Sequence, residues 1–221
     1  KIGPDPASIN ACMIGGIAAN NASGMCCGTA QNSYHTVKSM RIIFEDGTLL
    51  DTADENSRAA FRESHSDLLS TLETLAYDVQ NNSDLADKIR HKYRLKNTTG
   101  YSLNSLVDFT DPFEILMHLM IGSEGTLGFI SEVTYHTVEE HPIKAAALIY
   151  FPDVETTCRA VTVLKSTPVS AVELIDRAGL RTVEGKPGMP EMLKDLGDEV
   201  AGLLVDVRGS TAAELEQKVA Q

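Results

Sequence analysis

Two short segments set most of what this chain can fold into. The first, IGGIAANNASGMCCG at residues 14–28, places Gly15, Gly16, Gly24 and Gly28 among alanines and asparagines. Such residues fill no core and hold no charge. They offer backbone that can be approached closely, and bare N–H groups are what an anion takes. The second segment, GSEGTLG at residues 122–128, carries Gly122, Gly125 and Gly128. Neither is a nucleotide fingerprint. No Gly-x-x-x-x-Gly-Lys-Ser/Thr loop is present, and GSEGTLG has the wrong spacing for Gly-x-Gly-x-x-Gly. It also runs from a helix into a strand, the order that leaves no helix N-terminus facing a phosphate. Taken singly, glycines at the end of a helix are more often plain C-caps.

Charge narrows the ligand. The chain has 19 basic and 31 acidic residues, a formal charge of −12, which argues against non-specific nucleic-acid binding. Between Asp5 and Glu45 there is no acidic residue, and the first glycine segment lies in that window with Lys38 and Arg41. Room kept for an anion and tight packing of small residues both account for this. Cys12, Cys26, Cys27 and Cys158 follow no zinc or redox spacing and are expected to be reduced, buried residues of a cytoplasmic protein. The six histidines form no i, i+4 ligand pair, and no metal site is expected. No apolar run reaches the ~18 residues that span a bilayer. The chain starts on Lys1 and stops in a helical run, so it is read as a piece of a longer protein.

The remaining pattern is mixed. VKSMRIIFEDGTLLDT alternates Met40, Ile42 and Phe44 and turns at Asp46-Gly47, which predicts a hairpin. Residues 54–95 read as polar helix, an excursion that is either solvated or a partner surface. Residues 95–106 read as a loop. Asp111, Pro112 and Glu114 open a helix whose buried stripe is Phe113, Leu116, Met117 and Met120. A strand follows to about Val138. A boundary is expected at Glu139–Lys144. Beyond it come a strand (145–151), a helix (153–165), a strand (171–175), a helix (176–183), a proline loop, the strand AGLLVDV and a helix capped by Thr211 and Glu214. That rhythm predicts an α+β unit.

Taken in order, IGGIAANNASG, FEDGTLL, NTTGYSLNSL and IGSEGTLGFISEVTYHTV resemble the flavin-binding domain of the vanillyl-alcohol oxidase / p-cresol methylhydroxylase (PCMH) superfamily. Within it the chain resembles the FAD-linked D-2-hydroxyacid dehydrogenases: D-lactate dehydrogenase, the glycolate oxidase flavin subunit and D-2-hydroxyglutarate dehydrogenase. AAALIYFPDVETTCRAVTVLK and VSAVELIDRAGL extend the likeness into the cap domain. The fold implied is α+β. Residues 1–141 are the second part of a PCMH-type FAD-binding domain without its N-terminal phosphate-binding subdomain. Residues 142–221 are the start of a ferredoxin-like cap.

The resemblance also assigns roles. It lays Gly15, Gly16, Asn21, Ala22, Ser23 and Gly24 against FAD, with main-chain N–H groups on the pyrophosphate and flavin edge. It passes Gly122, Glu124, Gly125, Gly128 and Ile130 along the other side. Glu124 either contacts the cofactor or bonds amides of its own loop. Asn-Ala-Ser-Gly replaces the usual Asn-Ala-Gly-Gly. The Arg-Gly-Gly-Gly-Thr-Ser type loop and the later histidine segments are missing, so no catalytic residue is assigned. The implied enzyme carries non-covalent FAD and oxidises a small D-2-hydroxy acid by hydride transfer to flavin, with a non-oxygen acceptor. A cysteine-rich tail outside these residues would add an iron–sulfur cluster. Residues 1–221 alone are expected to bind FAD weakly, to be inactive and to self-associate. The rival readings are an alditol oxidase, a cell-wall precursor reductase or a non-enzymatic interaction domain.

Overall fold

The computed structural model describes residues 1–221 and divides into two compact units, Lys1–Val138 and Glu139–Gln221. The first unit opens with helix α1 (Ile14–Asn20) and the single turn α2 (Ser33–Thr36), which leads into strand β1 (Val37–Ile43). The hairpin forms as its sequence requires. Gly47 takes a positive φ of 82°, and the Asp46 carboxylate accepts from the Thr48 N–H at 2.8 Å, turning the chain into β2 (Leu49–Asp51). Ile42 pairs with Leu50, and both are fully buried.

Three helices follow: α3 (Glu55–Ser64), α4 (Ser66–Gln80) and α5 (Ser83–Lys92). Asp54 caps the first by accepting from Asn56 and Ser57, and Asn82 caps the third by accepting from Leu85. This stretch is not a mere solvated excursion, because one face of it closes the core. Phe61, Leu69, Leu72, Ala76 and Val79 enter the main core with Met40, Ile42 and Leu50. Their spacing from Leu69 to Val79 is an amphipathic stripe diluted by the charged face around it.

A short helix α6 (Ser105–Asp108) precedes α7 (Pro112–Met120), whose cap Asp111 accepts from the Phe113 N–H at 3.0 Å. Glu114 does not close a capping box. It is half-buried, and burial with the Asp111 charge nearby pushes its carboxyl pKa up. The expected four-residue stripe is also too narrow. Ile115 and His118 are buried as well, so α7 is enclosed on nearly all sides. His118 stacks on Phe109 at 4.1 Å, and its Nδ1 lies 2.8 Å from the Glu114 carbonyl oxygen. Strand β3 (Phe129–Tyr135) then pairs antiparallel with β1, giving the sheet order β2-β1-β3.

Burial disfavours the His118 imidazolium and holds its pKa below the ordinary 6.5. The unfolded chain therefore binds more protons once the pH falls below about 6.5, and stability falls with it; above that range the contribution is nil. Urea midpoints measured between pH 5 and pH 7.5 should drop toward the acid end. His118→Asn, itself less stable, should show a flatter profile over that window.

The second unit is a sheet of order β4-β6-β5 with helices α8 (Val154–Leu164), α9 (Arg177–Arg181) and α10 (Ala212–Val219). Its strands are β4 (Ile143–Phe151), β5 (Ala171–Ile175) and β6 (Ala201–Gly209). Both pairings are antiparallel, with Leu148 opposite Leu204 and Leu174 opposite Leu203. Thr211 accepts from the Glu214 N–H, and Glu214 accepts in return from the Ser210 N–H at 2.8 Å, a reciprocal cap shifted by one residue. The proline loop carries a 3₁₀ turn at Glu191–Asp195 that the sequence reading lacked, and its Leu193 is fully buried. No disulfide joins the four cysteines. Cys27 alone is buried, with its thiol pKa pushed up by burial, whereas Cys158 is exposed, against the expectation for it.

Candidate functional site: a glycine-walled groove

The first glycine segment is helical at its start. Residues 14–20 form α1 although Gly15 and Gly16 are poor helix formers. Ile17 and Ala18 are buried on one side of α1. Gly15, Gly16 and Ala19 lie on the other, since i, i+3 and i+4 share a face. The N-cap Met13 supplies no side-chain acceptor, and the first turn holds no acid. Asn21 ends the helix in the left-handed region, φ 51°, where Asn is among the tolerated residues.

The second glycine segment docks on this helix. The Gly122 N–H donates to the Ala18 carbonyl at 3.2 Å, and the Glu124 N–H donates to that of Ala19 at 2.9 Å. Gly122, Glu124 and Gly125 all have positive φ, which bends the loop back along α1 before β3 begins. Glu124 Oε1 accepts from Asn20 Nδ2 at 2.6 Å. Its partner is thus a side chain of α1 and not an amide of its own loop. Together the two segments wall a groove of about 520 Å³.

Six of the residues singled out by sequence line this groove: Gly15, Gly16, Glu124, Gly125, Gly128 and Ile130. A Cβ on Gly16 would meet nothing within 4 Å, so it would project into open space, while one on Gly15 would stand 3.3 Å from the Ile130 carbonyl oxygen. Gly128 also serves packing, because its Cβ would lie 3.1 Å from Ile42. Sequence reasoning missed the apolar members Met13, Ile14, Ala19 and Phe129. A helical wheel over residues 14–20 would have placed Ala19 beside Gly15 and Gly16.

The other five lie elsewhere. Gly122 has φ 86°, and a Cβ there would lie 3.3 Å from the Gly100 carbonyl oxygen. Asn21 and Ser23 are buried, and the Ala22 N–H bonds the Ile17 carbonyl. The Ser23 carbonyl accepts from Lys96 Nζ at 2.6 Å. The Gly24 N–H donates to Asp5 Oδ1 at 3.1 Å, and a Cβ there would sit 1.9 Å from the Asp5 carbonyl oxygen. Asp5 also accepts from the Cys27 N–H at 3.2 Å. The acid-free window in sequence is therefore not acid-free in space: a carboxylate already holds two of its amides. No group of three or more His, Cys, Asp or Glu side chains is arranged to hold a metal ion. No helix is long and apolar enough to cross a membrane.

Comparison with known proteins assigns two stretches of the chain to families. Residues 1–53 match the FAD binding domain family, and residues 141–221 match the C-terminal domain of FAD linked oxidases. With the fold described above, these matches define an α+β chain of the PCMH type whose cofactor is FAD. Among solved structures, two crystal forms of alkyldihydroxyacetonephosphate synthase share the fold. Their TM-scores are 0.56 and 0.57, at 14% and 16% identity. Each covers 100% of this chain, which in turn spans 32% of theirs. No curated protein matches the chain.

Proposed function

We propose that this chain is the part of a flavin oxidoreductase that lays one wall against FAD, and that the intact enzyme oxidises a D-2-hydroxy acid. The observation that carries the reading is the groove between α1 and residues 124–131, where two glycine segments remote in sequence converge. Bound there, FAD would supply the two-electron acceptor, and the chain's own residues would hold and orient it. Gly15 and Gly16 keep side chains out of the way of a flat ligand. Ile14, Ala19 and Ile130 give it apolar contact.

The wall chemistry favours the uncharged ring over the pyrophosphate. Glu124 is the one ionisable group lining the groove and no cation lines it, so a dianion placed there would face a carboxylate. Residues 21–24 support the groove from behind and would not touch the ligand. FAD held in this way is non-covalent, since nothing in the groove is a nucleophile suited to attach it.

The likeness to alkyldihydroxyacetonephosphate synthase supports a second reading, another flavin enzyme on this fold. Purified intact protein separates the two. Flavin should leave the protein on denaturation, and anaerobic addition of D-lactate or D-2-hydroxyglutarate should bleach its visible absorbance. Colour retained on the denatured pellet would refute non-covalent binding. Bleaching by an alditol and by no hydroxy acid would replace the substrate class, and a flavin-free protein would end both readings.

A further inference from the structure

Behind the groove, the chain after α1, the loop leading into α6 and the turn after α7 meet at a small polar junction. Gly122 stands at its centre: a Cβ there would lie 3.7 Å from Ser102 Oγ and 3.9 Å from Asn21 Cβ. Asn21 and Asn104 line one cavity at this junction. Both are more than nine-tenths buried, at 8% and 7% exposure, and the Oδ1 of each has no protein partner.

The orientation of Asn104 is fixed by chemistry. Its Nδ2 donates to Asp108 Oδ2 at 3.2 Å, the same oxygen that accepts from the Tyr34 hydroxyl at 2.7 Å. A carboxylate only accepts, so the amide nitrogen must face it and the amide oxygen must be the free acceptor. The cavity measures about 20 Å³, and roughly 10–15 Å³ on this scale admits one water molecule. Leu95, which also lines the cavity, is 74% exposed, so the cavity opens toward solvent on that side and a water can enter.

We propose that this cavity is a binding site for a single ordered water, which donates its two protons to Asn21 Oδ1 and Asn104 Oδ1. Thr29, Asn32 and Asn97 on the same wall carry the O–H and N–H donors that suit its oxygen. The water ties the residue that terminates α1 to the loop ahead of α6. It thereby fixes the helix that carries Gly15 and Gly16. The inference stands on the cavity alone and does not depend on the flavin reading.

Water–protein cross-relaxation in NMR spectra of the isotope-labelled full chain tests it. A long-lived water should give cross-peaks, of the sign typical of the protein's own, at the Asn104 side-chain amide and the Asn21 backbone amide. Asn104→Leu, close in shape but without the acceptor, should lose them. Asn21→Gly, which accepts the left-handed turn, gives the same loss if the first variant does not fold. Absence of such peaks in the wild-type chain, or their persistence in both variants, overturns the proposal. A melting temperature that rises with potassium but not with tetramethylammonium at equal ionic strength would put a cation there and overturn it too.

Discussion

Gly24→Val is expected to unfold the first unit, with or without cofactor. A Cβ at this position would lie 1.9 Å from the Asp5 carbonyl oxygen and 2.6 Å from Asp5 Oδ1. Backbone atoms cannot yield as a flexible side chain can, so the segment around Asp5 must move away. That movement also breaks the bonds from the Gly24 and Cys27 N–H groups to the Asp5 carboxylate. Hydrogen bonds to charged groups are worth about 1.5–3 kcal/mol each, and forced overpacking adds roughly 1–3 kcal/mol. The sum is on the order of 4–9 kcal/mol, comparable with the whole stability of an ordinary domain. Circular dichroism of the purified variant should show a large loss of helix signal, or expression should fail. A variant that melts within a few degrees of the parent would show that Asp5 and Gly24 are not packed as described.

Gly16→Val should do the opposite. The site is open, and a Cβ there meets nothing within 4 Å beyond its own helix backbone. Valine is a better helix former than glycine by a few tenths of a kcal/mol, so the flavin-free protein should keep or slightly raise its urea midpoint. The same isopropyl group would occupy the groove beside Ala19 and Gly15 and hold a planar ligand off the wall. Losing close contact over one face of a ring forfeits several kcal/mol of burial and dispersion, and each 1.4 kcal/mol is tenfold in affinity. Flavin content of the purified intact variant should therefore fall at least tenfold while its fold persists. Full occupancy would remove Gly16 from the cofactor site. The two valine variants together separate a glycine needed by the fold from one needed by a ligand, a distinction the letters alone do not make.

What could be read from the sequence divides along a physical line. Signals that act over a few residues were legible: the Asp46-Gly47 turn, the Asp111-Pro112 helix start and the Thr211 cap all rest on local hydrogen bonds. Interactions closed over long distances were not. Nothing near Gly24 announces Asp5 as its partner, and nothing in the polar stretch 54–92 announces that Phe61 and Leu69 complete the core around Ile42. Nor does anything beside His118 announce that its ring fills an aromatic slot between Tyr34 and Phe109. The helix at 14–20 was hidden because two glycines lower its intrinsic propensity, while docking of residues 122–124 supplies what propensity lacks. Glycine content does not sort the members of these segments: Gly15 and Gly16 line the groove, whereas Ser23 and Gly24 do not.

The bonds that join the two walls of the groove also set a schedule. Asn20 and Glu124 are 104 positions apart. A ribosome adding about 5–20 residues per second delivers the second wall about 5–20 s after the first. During that interval α1 has no loop to dock on. Seven residues with two glycines do not hold a helix unaided, so the segment stays fluctuating until residue 124 emerges. Loop closure over such a span is entropically unfavourable, and the helices between must first draw the ends together. The groove is therefore among the last parts of its unit to form during synthesis, and whatever occupies it can only be loaded after that.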